Sequence, residues 1–288
     1  MKKQHVPNFA RFVVLALLGT PMITWGNDCQ QANTLNNRSL NVSLEQKGDL
    51  LNQALKLCPN HIHALNNLAT LREQQGQLSE AEGLYKQAIK ADPNFAPAYA
   101  GLGDVLMQQK DYRTAAEMFD KFLTTASNNQ SLQKHVQHYE QRLEEAHNNI
   151  IIPAKEIRVA LSGDRFGKPK IQEVPINFAL NSYQVTDKGQ QQCQEMANAI
   201  LDVFNTNRSQ HFRVRIEGHT DSQGKADFNY RLSEQRATSV KNVLVNNFNV
   251  PANRLVVVGF GEGTPIASNE TAHGRFLNRR VTLVRLNK

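Results

Sequence analysis

The stretch FRVRIEGHTDSQGKADFNYRLSEQRA, residues 212–237, decides how the second half of this 288-residue chain folds. Its first six residues alternate apolar and charged side chains, the pattern of a strand with one solvated face. From 229 to 247 the period becomes helical, with Leu232, Ala237, Val240 and Leu244 on one side. Between them lies a loop in which Asp221 stands just past the strand end, flanked by Gly218 and Gly224, where a carboxylate can face outward. Asn229 and Arg236 are seven residues apart, two helical turns, and share a face with Leu232 and Ser233 between them. A loop carboxylate beside a helix-borne guanidinium can hold a zwitterion: Asp takes an ammonium, and Arg takes a carboxylate in a two-pronged contact. Spacing leaves a second reading open, in which Asp221 and Arg236 simply pair with each other at the surface for about 0–1 kcal/mol.

Working outward, residues 174–178 read as a strand and 186–204 as a helix through Cys193, Met196, Ala197, Ile200 and Leu201. Residues 255–259 and 281–286 read as two further strands. The order β-α-β-α-β-β predicts a compact sheet with helices packed on it. Ahead of it, 150–174 is rich in Gly, Pro and Lys and reads as a linker and lead-in, with a short helical candidate at 154–161. Two other patterns fail on inspection. Gly259-x-Gly261-x-Gly263 follows a strand, but Thr264-Pro265 stands where a dinucleotide fingerprint would open a helix. His219 and Asp221 have no positioned Ser or Cys nucleophile. Cys193, in an apolar helical stripe, reads as a buried core thiol.

Three motifs give this half a resemblance to the OmpA-like, peptidoglycan-binding family. Ile176-Asn177-Phe178 followed by Asn181-Ser182 is similar to the family's opening strand. Glu217-Gly218-His219-Thr220-Asp221, Gly224, Asn229, Leu232-Ser233, Arg236-Ala237 and Val240 resemble its central signature. Gly259-Phe260-Gly261-Glu262, Pro265, Asn269, Gly274-Arg275 and Asn278-Arg279-Arg280-Val281 resemble its closing one. The resemblance implies a ligand, the diaminopimelate of the peptidoglycan stem peptide, with Asp221 and Arg236 as principal contacts and Thr220, Asn229 and Arg279 as supporting ones. Arg280 reads as structural, because adjacent residues at the start of a strand point opposite ways. The chain departs from the family at Ala179-Leu180-Asn181, where an acidic residue often stands, and this bears on fine ligand preference.

The first half has a different period. Leu65, Leu68, Ala69, Gly76, Ala81, Tyr85, Ala88 and Pro93 are followed 34 residues later by Tyr99, Leu102, Gly103, Lys110, Ala115, Phe119, Phe122 and Ser127. Small residues recur where helices approach closely, and Asp92-Pro93-Asn94 breaks the chain between units. The spacing resembles the tetratricopeptide repeat: good copies at about 62–95 and 96–129, and a weaker one at 28–61 whose first helix, with Asn33, Asn36, Asn37 and Arg38, is degenerate. Residues 130–148 suit a capping helix. In this register Cys29 starts the weak hairpin and Cys58 ends it. The two therefore lie at the same end, and a disulfide there would contribute about 2–4 kcal/mol. His61 and His63 read as solvated residues at a helix start, with no further ligand to complete a metal site. By register the concave groove includes His63, Asn66, Thr70, Glu73, Ala100, Asp104 and Met107.

Lys2, Lys3 and Arg11, the apolar run 12–18 and the break at Pro21 have the layout of a cleaved secretory signal over residues 1–26. That run falls short of the roughly 20 apolar residues needed to span a bilayer. Charge divides unevenly: residues 27–150 carry 11 basic and 14 acidic side chains, a net of −3, and 151–288 carry 19 and 12, a net of +7. The basic half suits an anionic partner, and in an exported protein a wall polymer is a more economical choice than nucleic acid.

The expected architecture is therefore an N-terminal repeat domain (27–149) followed by an OmpA-like β-α-β-α-β-β sandwich domain (175–288). The expected protein is a periplasmic, wall-associated adaptor with no enzymatic activity, no cofactor, no metal and no transmembrane segment in its mature form. It holds peptidoglycan at one end and an envelope protein, in the repeat groove, at the other. An anchor subunit of a larger envelope machine is the first rival, and a wall-acting enzyme, which would need a paired acid and base, the second. Attachment at the outer membrane is compatible with either wall-binding reading.

Overall fold

The computed structural model describes residues 25–127, 129–162, 172–174, 176, 178, 182–206 and 212–286. Most of the proposed signal, and parts of the opening strand and lead-in, lie outside them.

Helical hairpins form the first half: α1 (Trp25–Ser39) with α2 (Leu44–Leu57), α3 (Ile62–Gln74) with α4 (Leu78–Ala91), and α5 (Ala96–Gln108) with α6 (Tyr112–Ala126). Helix α7 (Gln133–Asn149) closes the stack and buries Leu143 and Ala146. The 34-residue period has a backbone cause. Gly76 and Lys110 occupy equivalent turn positions, and both are left-handed, at φ 73° and 65°. Each turn returns a pair of hydrogen bonds to the helix it ends: Gln77 N to Arg72 O and Gly76 N to Glu73 O, then Asp111 N to Leu106 O and Lys110 N to Met107 O. The small residues are required by packing, since a Cβ at Gly101 would enter the Tyr85 ring and one at Gly103 the Phe119 ring. Between units, Asp92 caps α4 and its carboxylate accepts from Asn94 N at 2.9 Å. The asparagine-rich first helix is tied to the next hairpin by Asn67 Nδ2 donating to Asn36 Oδ1 at 2.9 Å. Cys29 and Cys58 are joined by a disulfide, Cα–Cα 4.9 Å.

In the second half, α8 (Ala154–Ser162) precedes β1 (Gln172–Val174), α9 (Asp187–Thr206), β2 (Arg213–Gly218), α10 (Ala226–Phe248), β3 (Leu255–Gly259), α11 (Ala272–Asn278) and β4 (Val281–Leu286). The sheet order is β1-β4-β2-β3, with β2 and β3 parallel and β4 antiparallel to both β2 and β1. Val214 and Ile216 of β2 are buried against Met196 and Ile200 of α9 and Val240 and Leu244 of α10. Cys193 lies in this core, where burial pushes its thiol up to about 12 and keeps it unreactive.

Two sequence expectations change. The helical candidate at 154–161 forms α8, but it is not linker: its Ile157 and Leu161 are fully buried in the C-terminal core. The strand expected at 174–178 has its described part at Gln172–Val174, and Phe178 instead bridges Val185. Ile150 packs on the array and Ile152 on the second core, so the halves meet with little chain between them.

They also touch directly. The His147 ring of α7 stacks on His273 of α11 (centroids 5.4 Å, 28°) and tilts against Phe276. Arg113 of α6 pairs with Glu156 of α8 at 3.2 Å. Burial, with His273 adding, lowers His147 to about 4, and Asp120 partly offsets this. The folded state therefore binds fewer protons than the unfolded chain between pH 6.5 and about 4, so stability is full above that window and falls as the pH drops through it. Urea unfolding at pH 7 and pH 4.5 should show the wild type losing about 2 kcal/mol more than His147→Phe, allowing for partial exposure.

Candidate functional site

Strand β2 delivers the site loop. At its end His219 N donates to Arg280 O (3.0 Å) and Thr220 N to Gly261 O (2.9 Å), which pins the loop to both neighbouring strands. Helix α10 then crosses the ends of β2 and β3 at Gly218 and Gly259, where any side chain would run into Ser233. Ser233 Oγ accepts from Gly261 N at 2.9 Å. These contacts set Asp221 and Arg236 on opposite sides of one cavity of about 760 Å³.

Asp221 is 6% exposed, less outward than its loop suggested. Its Oδ1 accepts from Gln223 N at 2.9 Å, and its Oδ2 takes Arg279 Nη1 at 2.8 Å. The surface pair between Asp221 and Arg236 is therefore not formed, because Arg279 occupies the carboxylate. Arg236 donates through Nε to Ser182 O at 3.1 Å and lies 5.0 Å from the Phe178 ring centroid. Among the described residues nothing accepts from its two terminal nitrogens. Burial, with Arg279 adding, lowers its pKa and Asp221 works the other way, yet a guanidinium stays charged.

The supporting residues divide. Thr220 lines the cavity with a buried hydroxyl that has no hydrogen-bond partner among the described residues. Asn229 is 2% exposed and its amide donates to Asp221 O, Gln223 O and Glu262 Oε2, the last at 2.6 Å. Both its hydrogens are used inside the protein, so it holds the Asp221 loop to α10. Arg280 donates to Thr264 O and Asn278 O. His219 faces Thr264 and Glu217 and stacks on Phe260, away from Asp221.

Sequence reasoning missed several lining residues: Phe276 of α11, Lys188 of α9, and Glu144 and Asn148 of α7. Thr271, whose hydroxyl accepts from Gly274 N, was the available signal for α11. Nothing local in α7 points to a pocket in the other domain. The cavity is lined by three carboxylates (Glu144, Asp187, Asp221) and three cations (Lys188, Arg236, Arg279), a formal net charge of zero.

The array groove is more self-satisfied than its register suggested. Glu73 accepts from Tyr85 and Gln108, Thr70 bonds the same Tyr85, and Asp104 takes Tyr139 and Arg142 of α7. Ala100 and Met107 are buried in the helix-packing cores and are not presented to a partner. His61 is half-buried, not fully solvated, and caps α3 by accepting from Ala64 N at 3.1 Å. His63 meets the Phe95 ring edge-on. Among the described residues no helix is long and apolar enough to cross a membrane, and no three His, Cys, Asp or Glu side chains form a metal cluster.

A stack of helical hairpins followed by a small mixed sheet with a charge-balanced pocket defines the class of this chain. Residues 177–279 match the OmpA family, and residues 49–103 and 73–134 match the tetratricopeptide repeat. The chain thus carries an OmpA domain behind tetratricopeptide repeats. Outer membrane porin F of Pseudomonas aeruginosa is 36% identical over 41% of this chain and 33% of the relative. Putative lipoprotein YfiB of Escherichia coli is 38% identical over 38% of this chain and 64% of the relative. This chain therefore spans about a third of the first of these curated relatives and under two thirds of the second. Among solved structures, the peptidoglycan-associated lipoprotein from Burkholderia pseudomallei is similar, with TM-score 0.33 and 26% identity, covering 38% of this chain and 88% of that one.

Proposed function

We propose that this chain is a non-catalytic peptidoglycan-binding adaptor of the periplasm. One observation carries the reading: Arg236 holds two uncommitted guanidinium nitrogens across a neutral cavity from the Asp221 carboxylate. A simple anion would suit a basic cavity; a neutral one with separated charges suits a zwitterion. The diaminopimelate of a stem peptide is such a ligand, having an ammonium and a carboxylate on one carbon. Arg236 takes the carboxylate through two parallel hydrogen bonds, and Asp221 takes the ammonium. Arg279 fixes the Asp221 carboxylate, Thr220 offers its spare hydroxyl, and Asn229 positions the loop. The net +7 of residues 151–288 draws the domain toward a wall rich in carboxylates.

One site of this kind binds modestly, and the many identical stem peptides of a sacculus supply avidity. The repeats, at −3, carry a second task, recruitment of an envelope protein. The names of the outer membrane porin and lipoprotein relatives favour a place at the outer membrane, reached through the signal at 1–26. Co-sedimentation of the exported protein with purified sacculi tests the reading. The protein should pellet with sacculi and stay there when the sacculi are intact; a protein left in the supernatant, or sacculi released as soluble fragments, would overturn it.

A further inference from the structure

The pocket is not the property of the OmpA domain alone. Glu144, from the last helix of the repeat array, lines it beside Asp221 and Arg279. Its Oε1 lies 3.8 Å from Arg279 Nη2, while Arg279 Nη1 reaches Asp221 Oδ2 at 2.8 Å. One guanidinium thus stands between two carboxylates, one from each domain, and the trio carries a net formal charge of −1. Arg236 opposite carries +1. The cavity is therefore dipolar, and its negative pole depends on the array.

Glu144 is poorly served where it stands. Its side chain is 30% exposed, and a charge pair at 3.8 Å is longer than a hydrogen bond. Burial raises its carboxyl pKa, with Arg279 and Arg275 working the other way. A partly desolvated carboxylate with a long, shared partner gains from an arriving ammonium. Helix α7 has little freedom to withdraw it, because His147, three residues on, is stacked on His273 and Phe276 of α11.

We propose that Glu144 is a ligand-binding residue: with Asp221 it forms the ammonium subsite, so that the site is complete only when the repeat array is docked on the OmpA domain. This rests on the reading above that the pocket takes the diaminopimelate zwitterion. It means that occupancy of the wall site and the seating of the repeats on the domain are linked. Whatever loosens α7 weakens wall binding, and bound stem peptide holds α7 in place.

The test uses the full exported chain and two probes, a diaminopimelate-containing stem tripeptide and the same peptide acetylated on its free side-chain amine. In wild type, acetylation should weaken binding about 100-fold, because two carboxylates lose the ammonium. Glu144→Gln should bind the free amine about tenfold more weakly than wild type and lose about tenfold less on acetylation. A merely structural Glu144 would leave the acetylation penalty unchanged, and that result overturns the inference. Hydrogen exchange gives a second readout: the tripeptide should slow exchange across 140–149 in wild type and much less in Glu144→Gln. Equal protection in both also overturns it. If wild type binds neither probe, the failure lies with the wall-binding reading itself.

Discussion

Gly218→Ala unfolds the C-terminal domain far more readily than wild type, at a cost of about 3 kcal/mol or more. The added Cβ would fall inside contact distance of the Ser233 carbonyl oxygen and carbon, so backbone meets backbone and no rotamer change relieves it. Strand β2 cannot retreat, since Gly218 is held in register with Val281 on one side and Gly259 on the other. Helix α10 cannot lift without exposing Ala237, Val240 and Leu244, all fully buried. Gly83, in the middle of α4, is the contrast. A Cβ there meets nothing within 4 Å, so Gly83→Ala should stabilise by about 0.5–1 kcal/mol through helix propensity. Urea denaturation of the two variants measures both signs. The consequence reaches the pocket, because the same close approach sets Arg236 against the Asp221 loop.

Arg236→Ala should lower affinity for a diaminopimelate stem peptide about 100-fold while leaving the fold nearly as stable as before. Its one hydrogen bond to Ser182 and its position over Phe178 contribute little. The two terminal nitrogens are the loss, each a charge-assisted donor worth about 1.5–3 kcal/mol. Arg236→Lys should recover only part of the affinity, since an ammonium cannot offer the planar fork. Asp221→Asn should be comparably weak in binding but costlier to stability. It leaves the half-buried Arg279 with the distant Glu144 as its one carboxylate partner among the described residues. Calorimetric titration alongside denaturation separates the two effects.

Much of this architecture follows from local pattern, and the departures have identifiable causes. The 34-residue period was readable because left-handed turns at Gly76 and Lys110 and tight contacts at Gly101 and Gly103 leave a mark on composition. The alternation in β2 was readable because one of its faces is core and the other carries Arg213 and Arg215. The short α11 has little more than Thr271 as a cap to announce it. Helix α8 was legible as a short helix but not as part of the C-terminal core, since its packing on α9 joins residues about 40 apart, such as Ala154 and Glu195.

The pocket was half legible in the same sense. Asp221 and Arg236 stand out by spacing on a loop and a helix face. That Arg279 and not Arg236 would take the Asp221 carboxylate depends on where β4 begins beside β2. Glu144 depends on how one domain sits upon another, which no periodicity within α7 records.

The most direct measurement compares two stem tripeptides that differ only at the third residue, diaminopimelate in one and lysine in the other, titrated into the full chain. Lysine keeps the side-chain ammonium and lacks the adjoining carboxylate. If Arg236 holds that carboxylate, the lysine peptide should bind about 100-fold more weakly in wild type, and the difference should largely vanish in Arg236→Ala. Equal binding of the two peptides by wild type would contradict the account.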